Sequence, residues 1–460
     1  MKILHYSLGL PPYRSGGLTK YSVDLMKSQV NEGQQIFLLF PGRLTFNKKT
    51  KIKQITLFKG IQVFELINPL PVSLLGGINK PEAFMRTVDP HNVYKPFLEK
   101  IQPDIIHIHT LMGIHKEFFL AAKELNIKII YTSHDYFGIC PKVNLIDYNG
   151  EICTDFAEGA KCVICNENAY SFPLIYLMQS RIYRTLKESY FVKILRKSKK
   201  EKIMKQDNIV TRSDERINRE QVQKYKQLRE YYLDIFSLID YFHFNSNVTK
   251  NEYKKFIDVT GEVLPITHTN IQDCRIQRYY KKNEPLKITF LGPLDKYKGF
   301  PLLREALNIL LEKGQTNWHL NIYGNTNLVL LNDREKSQIT FYGRYKYDDL
   351  GKIFNKTDIM VIPSVWKETF GFIGLEALSY GVPILVSEHV GFKDIIKDGV
   401  TGIIFKADPT ELANILEQLI HDRGILEKIN QNICQQEFPY TMDVHVQKIQ
   451  SMYKKVIGDR

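Results

Sequence analysis

The stretch that decides the fold is DIMVIPSVWKETFGFIGLEALSYGVP, residues 358–383. It begins with Asp358 and the apolar run 359–362, which is typical of a buried strand, and Pro363 ends that run. A helical pattern follows over 372–380, and Gly381 is of the residue type that commonly ends a helix. Strand, turn and helix in this order predict one βα unit of a parallel sheet. Ligands of open α/β folds bind at the carboxyl edge of such a sheet.

The same alternation of strands and helices recurs along the chain. We predict strands at 2–6, 36–40, 105–109, 127–131, 241–244, 287–291, 320–323, 339–342, 359–362 and 384–387. Helical patterns lie between them, among them 118–125 and 301–311. This order predicts the α/β class with parallel sheets that are covered on both faces.

The pattern divides the chain into two Rossmann-like, doubly wound domains. We expect an N-terminal domain over 1–270, with a cysteine-rich loop at 140–165 and a basic helical insert at 170–235. The C-terminal domain is expected over 271–435. An amphipathic segment within 436–460 is expected to form a closing helix that packs back on the N-terminal domain.

Composition excludes several classes of protein. The 460 residues are 43% hydrophobic and 25% charged, with a formal net charge of +13, which is unlike disordered, collagenous or coiled-coil chains. Apolar runs long enough for a transmembrane helix are absent from the sequence, and residues 1–8 are too short an apolar run for a signal peptide. These features predict a cytoplasmic protein.

Two glutamates flank the predicted start of the helix at 372. Its first turn carries unpaired N–H groups that suit a phosphate, and Gly371 lets an anion approach the backbone closely. Glu368 lies just before the helix and Glu376 about one turn inside it, so both carboxylates can accept hydrogen bonds from sugar hydroxyls. The alternative is that both are ordinary surface glutamates beside a helix start.

The pattern PS-x-x-x-E-T-F-G-x-x-x-L-E-A around these glutamates closely resembles the signature of retaining GT-B glycosyltransferases of family 4. The resemblance extends over about residues 1–435, apart from 170–235. Its further motifs are Gly16-Gly17, His134 within Thr132–Asp135, Lys298-Gly299, and the segment 391–402. It implies the GT-B fold, in which two Rossmann-like domains face each other across a cleft.

The resemblance also implies roles for individual residues. Glu368 would bind hydroxyls of the donor sugar, and Glu376 would hold the ribose. Lys298 would neutralise the diphosphate leaving group, and His134 would lie beside the anomeric centre. The remaining donor-binding positions would be Gly16, Gly17, Phe370, Gly371, Phe372 and Ile373. Catalysis would retain configuration without a catalytic metal, and stabilisation of the leaving phosphate would be its largest contribution.

Two positions depart from the family pattern. The phosphate loop of the family reads G-R-x-x-x-x-K-G, whereas Gly292–Gly299 carries Pro293 in place of the arginine. Losing a charge-assisted phosphate contact costs about 1.5–3 kcal/mol unless another cation substitutes. The candidate substitutes are Lys296, Arg344 and Lys367. The second departure is Asp394, where the family often has glutamate.

Histidines and cysteines supply further candidates. His107 and His109 face one side of the strand at 105–109, and each is either a hydrogen-bonded core residue or a cleft residue. Four cysteines, Cys140, Cys153, Cys162 and Cys165, lie within 26 residues. They suit a tetrahedral structural zinc, with reduced thiols or redox chemistry as alternatives. Cys274 and Cys434 stand apart.

The segment 181–205 holds ten basic and two acidic residues, a local net charge of +8. Together with its uncharged lead-in from 170, it is suited either to an anionic membrane surface or to packing with a solvated charged face. Nucleic-acid binding is not favoured, since no reader motif accompanies the charge.

The sequence thus predicts a hexosyltransferase-type enzyme that uses a nucleotide diphosphate sugar, UDP- or GDP-linked. The expected acceptor is a lipid-linked glycan of surface polysaccharide biosynthesis at the inner face of the cell membrane. One rival is a relative that cleaves or epimerises a nucleotide sugar. The other is a non-catalytic GT-B subunit that binds glycan and supports a partner enzyme, which Pro293 favours.

Overall fold

The computed structural model describes residues 1–180, 183, 218–324 and 330–458. These form two compact units. The first holds the described residues of Met1–Phe244, Glu252–Glu262 and Val446–Arg460, and the second holds those of Asn245–Asn251 and Val263–His445. The division therefore falls near residue 263, whereas the sequence predicts it after residue 270.

The first unit is built on an eight-stranded sheet. Its strands are β1 (Lys2–Tyr6), β2 (Gln35–Pro41), β3 (Lys51–Phe58), β4 (Ile61–Ile67), β5 (Ile105–Ile108), β6 (Lys128–Ser133), β7 (Tyr241–Phe244) and β8 (Gly261–Val263). They lie in the order β3-β4-β2-β1-β5-β6-β7-β8, and β4 through β7 pair in parallel. Parallel strands at the centre agree with the predicted α/β class.

The edge of this sheet differs from the sequence prediction, which has neither β3 nor β4. Lys59 and Gly60 join these strands in a two-residue turn with positive φ at both positions, and a connection this short requires antiparallel pairing. Strand β3 is mostly exposed. The expectation of a wholly parallel sheet covered on both faces is therefore wrong at this edge.

Helices of the first unit connect and cover these strands. The described helices that lie in or begin this unit are α1 (Gly17–Asn31), α2 (Pro90–Ile101), α3 (Lys116–Glu124), α4 (Ala160–Cys165), α5 (Phe172–Met178) and α6 (Arg219–Ser237). Helix α7 (Asn247–Lys254) runs across the division at residues 251 and 252. Helix α6 buries Tyr225, Leu228, Tyr232 and Phe236, so this end of the predicted insert belongs to the core.

The second unit has a six-stranded sheet in which every pairing is parallel. Its strands are β9 (Leu286–Leu291), β10 (Trp318–Tyr323), β11 (Ile339–Gly343), β12 (Ile359–Ile362), β13 (Ile384–Ser387) and β14 (Ile403–Phe405). Their order is β11-β10-β9-β12-β13-β14. The strand order reverses direction beside β9, as doubly wound sheets do.

Helices α8 (Phe300–Glu312) and α12 (Pro409–His421) pack together over one face of this second sheet. The other described helices after β9 are α9 (Asp333–Lys336), α10 (Leu350–Asn355), α11 (Phe372–Leu378), α13 (Gly424–Gln435) and α14 (Met442–Ile457). Trp318 is fully buried among the apolar residues of α8, α12 and the strands. The last described residues of α14 belong to the first unit.

The basic segment 181–205 lies outside the described residues apart from Tyr183, so its predicted membrane-facing role stays a prediction. Among the helices that the structure describes, none combines the length and the hydrophobicity that crossing a bilayer requires.

Candidate functional site

In the second unit, Glu368 lies in the loop that follows β12 and is almost buried. Its Oε1 accepts from Lys298 Nζ at 2.6 Å, and its Oε2 accepts from Ser364 Oγ at 2.7 Å. The Lys298 ammonium also lies 5.3 Å from the centre of the Trp366 ring. The structure therefore brings together two of the residues that the sequence singles out, with the carboxylate neutralised by the lysine.

The loop that carries Lys298 is held against the end of β12. A Cβ on Gly299 would lie 1.7 Å from the Pro363 carbonyl oxygen, and Gly299 has φ of +75°. Val365 N also donates to Tyr297 O at 3.0 Å. Only glycine permits this approach, which places the Lys298 side chain within reach of Glu368.

The second glutamate, Glu376, lies inside α11 and is also buried. Its Oε1 lies 3.1 Å from His268 Nε2, and His268 is wholly inaccessible to solvent. The His268 ring packs edge-on against Phe372 and against Tyr347. The sequence analysis missed His268, because it lies in the segment before β9, without a motif around it.

Helix α11 spans seven residues and ends at Leu378, two residues earlier than predicted. Gly371 caps it with φ of +97°, and a Cβ there would lie 2.9 Å from Val390 Cγ1. The Phe370 side chain is buried against Phe372 and Phe392. The Phe370 carbonyl also accepts from Phe392 N at 2.6 Å, so this residue is fixed in the core beside the start of α11.

The structure shows what surrounds Pro293 and Asp394, the two positions that depart from the family pattern. Pro293 lies in the loop between β9 and a single turn of 3₁₀ helix at Lys296–Lys298. Among the candidate substitute cations, Lys367 has its Nζ 3.0 Å from His389 Nδ1. The Asp394 carboxylate accepts from the backbone N–H of Asn247, and burial raises its pKa.

In the first unit, Gly16 and Gly17 begin helix α1 and are exposed. Gly16 has φ of +109°, and a Cβ built on it would meet no described atom within 4 Å. A ligand therefore has open access to the backbone at this helix start.

His134 follows β6, is partly exposed, and is the first member of a hydrogen-bonded chain whose other side chains are buried. Its Nε2 lies 3.3 Å from His109 Nδ1, and His109 Nε2 lies 3.0 Å from His5 Nδ1. His5 Nε2 in turn lies 2.7 Å from Gln29 Oε1. With the amide oxygen of Gln29 facing His5, each imidazole donates through Nε2 and accepts through Nδ1. His134 is thereby held as the tautomer that presents Nδ1 as its acceptor.

The chain continues on the far side of Gln29. Gln29 Nε2 donates to Tyr453 Oη at 3.2 Å, and Tyr453 Oη lies 2.6 Å from His107 Nδ1. His107 Nε2 lies 2.6 Å from Thr132 Oγ1, which lies 2.9 Å from His243 Nδ1. His107 is thus a hydrogen-bonded core residue, whereas His109 links that core to His134.

Desolvation keeps the imidazoles of His5, His109 and His134 neutral. It lowers the pKa of His5 and of His134 to about 3. Burial, with further contributions from neighbouring imidazoles, lowers the pKa of His109 well below its usual range. Ligand nitrogens of His5, His107 and His109 lie within 4.8 Å of one another, as metal ligands do. Since both nitrogens of His107 already have partners, the geometry fits a hydrogen-bonded chain better than a metal triad.

Stability is expected to fall as the pH drops below about 6.5. Four histidines, the buried His5, His109 and His115 and the partly exposed His134, have a lowered pKa in the folded state. The unfolded chain therefore takes up protons that the folded chain does not, at up to ~1.4 kcal/mol per pH unit for each histidine. Urea unfolding at about pH 7.5 and pH 5.5 measures the free energy of unfolding, which is expected to be lower at pH 5.5. Above the usual histidine pKa of 6.5 the unfolded chain takes up few of these protons, so little stability is lost there.

The variant His5→Gln is expected to reduce this pH dependence, because it removes one of the four groups. The matched control is His91→Gln, at an exposed position, which leaves all four in place. An equal free energy of unfolding at the two pH values would contradict the prediction.

The four clustered cysteines, Cys140, Cys153, Cys162 and Cys165, line one small pocket of the first unit. Burial raises the pKa of Cys162 to about 11 and that of Cys165 to about 12. Among the described residues, no three of the four sulfurs lie within 4.8 Å of one another, whereas ligand nitrogens of His5, His107 and His109 do.

Solved structures that also consist of two parallel-sheet domains define the fold as GT-B. Sucrose-phosphate synthase of Thermosynechococcus elongatus aligns with a TM-score of 0.56 at 12% identity, over 99% of this chain and 98% of its own. Anabaena HepE in complex with UDP aligns with a TM-score of 0.55 at 12% identity, over 99% and 100%. HepE in complex with UDP-glucose aligns with a TM-score of 0.53 at 13% identity, over 98% of this chain and 100% of its own. Likeness at this identity establishes the fold alone.

The family model matches within the second unit. Residues 273–436 match the family model of glycosyl transferases group 1. An uncharacterized 41.2 kDa protein in the cps region of Klebsiella pneumoniae is 26% identical over 38% of this chain and 47% of its own length. The uncharacterized glycosyltransferase MJ1607 of Methanocaldococcus jannaschii is 32% identical over 36% of this chain and 44% of its own length. CapM of Staphylococcus aureus, a capsular polysaccharide biosynthesis glycosyltransferase, is 27% identical over 40% of this chain and 50% of its own length. The matches span about half the length of these relatives.

Proposed function

We propose that this chain is a retaining glycosyltransferase of the GT-B class, family 4, that transfers a sugar from a nucleotide diphosphate donor to a glycan acceptor. The observation that carries the proposal is the Lys298–Glu368 ion pair at the end of β12, at 2.6 Å. In this pair, a cation suited to a diphosphate lies next to a carboxylate suited to sugar hydroxyls, and both side chains are largely buried. Both residues lie within 273–436, the part that matches glycosyl transferases group 1.

In this proposal Glu376 holds the ribose of the donor. His268 supports that role, because its hydrogen bond at 3.1 Å orients a buried carboxylate that would otherwise be costly to desolvate. The donor is a UDP- or GDP-sugar, and the UDP and UDP-glucose complexes of HepE favour UDP. The backbone of 370–373 and the open start of α1 at Gly16 and Gly17 would contact the diphosphate and the sugar.

Lys298 carries the electrostatic part of the chemistry. Negative charge develops on the diphosphate as the glycosidic bond breaks, and an ammonium already in place stabilises that charge without reorganisation. The acceptor hydroxyl attacks from the same face as the leaving group, which retains configuration, and the leaving phosphate helps to take its proton. We assign leaving-group stabilisation to Lys298 rather than to a metal ion.

His134 would act as a neutral hydrogen-bonding group near the reacting sugar. Its Nε2 is held by His109, which is held in turn by His5, and this chain of contacts fixes the orientation of the ring. The lowered pKa of His134 makes it a poor proton acceptor at neutral pH, which favours a role in orientation over general base catalysis.

The acceptor is proposed to be a lipid-linked intermediate of surface polysaccharide biosynthesis. The Klebsiella relative from a cps region and the capsular enzyme CapM support this assignment. The basic segment 181–205 would bind the anionic inner face of the cell membrane, so that a cytoplasmic enzyme works as a peripheral membrane protein.

A non-catalytic GT-B subunit is the second candidate, and Pro293 favours it. Without the family's arginine, the phosphate loop Gly292–Gly299 relies on its lysines for positive charge. Such a subunit would bind glycan and leave sugar transfer to a partner, whereas the intact Glu368–Lys298 pair favours catalysis.

A donor screen distinguishes these candidates. Calorimetry against UDP-, GDP-, ADP- and dTDP-sugars is expected to give saturable binding of one donor. Glu376→Ala is expected to weaken that binding roughly 10- to 100-fold, since a charge-assisted hydrogen bond contributes about 1.5–3 kcal/mol. The control is Glu417→Gln, on helix α12. Binding that is equal in both variants would contradict the ribose role, and a folded chain that binds no donor would favour the non-catalytic subunit.

A further inference from the structure

The pocket that the four clustered cysteines line is assembled from three separate pieces of chain. Cys162 and Cys165 lie on the short helix α4, so their spacing brings both toward one side. Cys140 follows a turn after β6, and its N–H donates to Tyr136 O at 2.9 Å. Cys153 follows a bridge between Ile146 and Ile152. Their convergence at one pocket therefore comes from tertiary structure and not from one local motif.

A buried positive charge faces the same pocket. Arg229 of helix α6 is 8% exposed, and its guanidinium carbon lies 3.7 Å from the centre of the Phe156 ring and 5.0 Å from that of Phe256. Its Nη1 is buried and has no hydrogen-bond acceptor in the described part of the chain. Lys142 and Lys161 also line the pocket.

A guanidinium that is removed from water is costly unless an anion compensates it. Within the described ranges, no carboxylate oxygen forms an ion pair with Arg229 at 4.0 Å or less. The groups of the pocket that carry or can take negative charge are the Asp155 carboxylate, which forms no such ion pair, and the four cysteine thiols. The buried arginine is thus an observation, independent of the cysteine spacing, that indicates negative charge in this pocket.

We propose that Cys140, Cys153, Cys162 and Cys165 bind one Zn²⁺ as a tetrahedral tetrathiolate centre, with Arg229 balancing its charge. Each thiol releases its proton to solvent when its sulfur binds the metal, so four thiolates and one Zn²⁺ carry a net charge of about −2. Arg229, in the pocket wall, donates toward the thiolate sulfurs. Such outer contacts commonly change metal affinity by about 10- to 100-fold.

Metal binding requires the pocket to contract. No three of the four cysteine sulfurs lie within 4.8 Å of one another in this structure, whereas ligand nitrogens of His5, His107 and His109 do. Short connections and few regular elements surround the cysteines over 140–165, so side-chain rotation and small loop shifts can bring the sulfurs together. The histidine trio is the less suitable site, because a metal there would displace partners held at 2.6 Å from His107.

The centre would cross-link the segment that directly follows His134. Cys140 lies six residues beyond His134, and the other three ligands tie the far part of the loop to the same point. The zinc is therefore structural, and it limits the motion of the chain next to His134. The inference does not depend on the proposed function, since it concerns metal content and order in the first unit.

The test is metal analysis of the full chain, expressed with zinc in the medium and purified without chelators or a histidine tag. Elemental analysis is expected to find about one Zn²⁺ per chain. The double variant Cys162→Ser/Cys165→Ser is expected to lose at least about nine-tenths of it. The matched control Cys274→Ser/Cys434→Ser, outside the pocket, is expected to retain it, and so is His5→Gln/His109→Gln.

Two further measurements keep the proposal testable if the cysteine variants fail to fold. Cobalt(II) in place of zinc in the wild-type chain is expected to show thiolate-to-metal charge-transfer bands and the strong visible bands of tetrahedral coordination. Arg229→Met is expected to weaken zinc binding about 10- to 100-fold in competition with a chromogenic chelator, and Arg229→Lys to recover part of that loss.

Several results would overturn the proposal. One is a folded wild-type chain without metal in which all four thiols react as free cysteines. Another is zinc that survives in the cysteine variants but is lost in His5→Gln/His109→Gln. A third is the detection of iron together with acid-labile sulfide, which would indicate an iron–sulfur cluster instead of zinc. Donor binding by the wild-type chain is measured separately, so failure of the zinc site and failure of the proposed function are distinguishable.

Discussion

Lys298→Ala is expected to lower kcat about 10²- to 10³-fold and to weaken the binding of free UDP. The ammonium is the cation already paired with Glu368, at 2.6 Å, where the diphosphate is proposed to lie. Removing one preorganised group that stabilises developing negative charge commonly has an effect of this size. Pro293 makes the expected loss larger, because this loop lacks the family's arginine that would otherwise share the charge.

The structure offers a closely matched control for this variant. Lys313 and Glu417 form another ion pair of the second unit, also with 2.6 Å between Nζ and a carboxylate oxygen, and they lie away from the phosphate loop in sequence. Lys313→Ala is expected to leave kcat and UDP binding unchanged. Steady-state kinetics and calorimetry measure both variants. Full turnover in Lys298→Ala would show that another cation stabilises the leaving group.

Glu368→Ala is expected to lower kcat about 10²- to 10³-fold while leaving the binding of free UDP unchanged or tighter. The carboxylate is proposed to bind sugar hydroxyls, and each charge-assisted hydrogen bond that it loses costs about 1.5–3 kcal/mol. In the absence of sugar, Glu368 competes with the diphosphate for Lys298. Its removal therefore frees the lysine, and this separates the variant from Lys298→Ala.

Two companion variants test the explanation. Glu368→Gln keeps the size of the side chain and an oxygen that can accept from Ser364, so it is expected to fold like the wild-type chain and still lose turnover. Glu417→Gln is the control for loss of an ion-paired carboxylate. Circular dichroism and thermal unfolding establish that the variants are folded. Wild-type turnover in Glu368→Ala, or UDP binding weakened as much as in Lys298→Ala, would contradict the assignment.

Local patterns predicted the central part of the fold. Runs such as 359–362 and 384–386 are continuous apolar segments, and a buried parallel strand needs that composition wherever it lies in the sheet. The α/β class is confirmed. The β3–β4 hairpin was missed because β3 is an exposed edge strand, whose residues are not required to be apolar.

The candidate site was predictable only where its residues share a motif. Glu368 and Glu376 belong to one short stretch around a helix start, so their spacing alone relates them. His268 lies 108 residues before Glu376, and nothing in its neighbourhood marks it as the partner of a carboxylate. Arg229 was missed for the same reason, since its relation to the cysteines depends on how α6 packs.

The amino-acid sequence alone determines which chemical groups are present: the paired glutamates, Lys298, the clustered cysteines and the histidines of β1 and β5. Only the tertiary structure decides which of them meet. The sheet order places β1, β5, β6 and β7 side by side, and this aligns His5, His107, Thr132 and His243 into one hydrogen-bonded chain with Tyr453, 346 residues away from His107. Hydrogen bonds require contact within about 3 Å, and contact between distant segments follows from strand order and helix packing, which residue spacing does not encode.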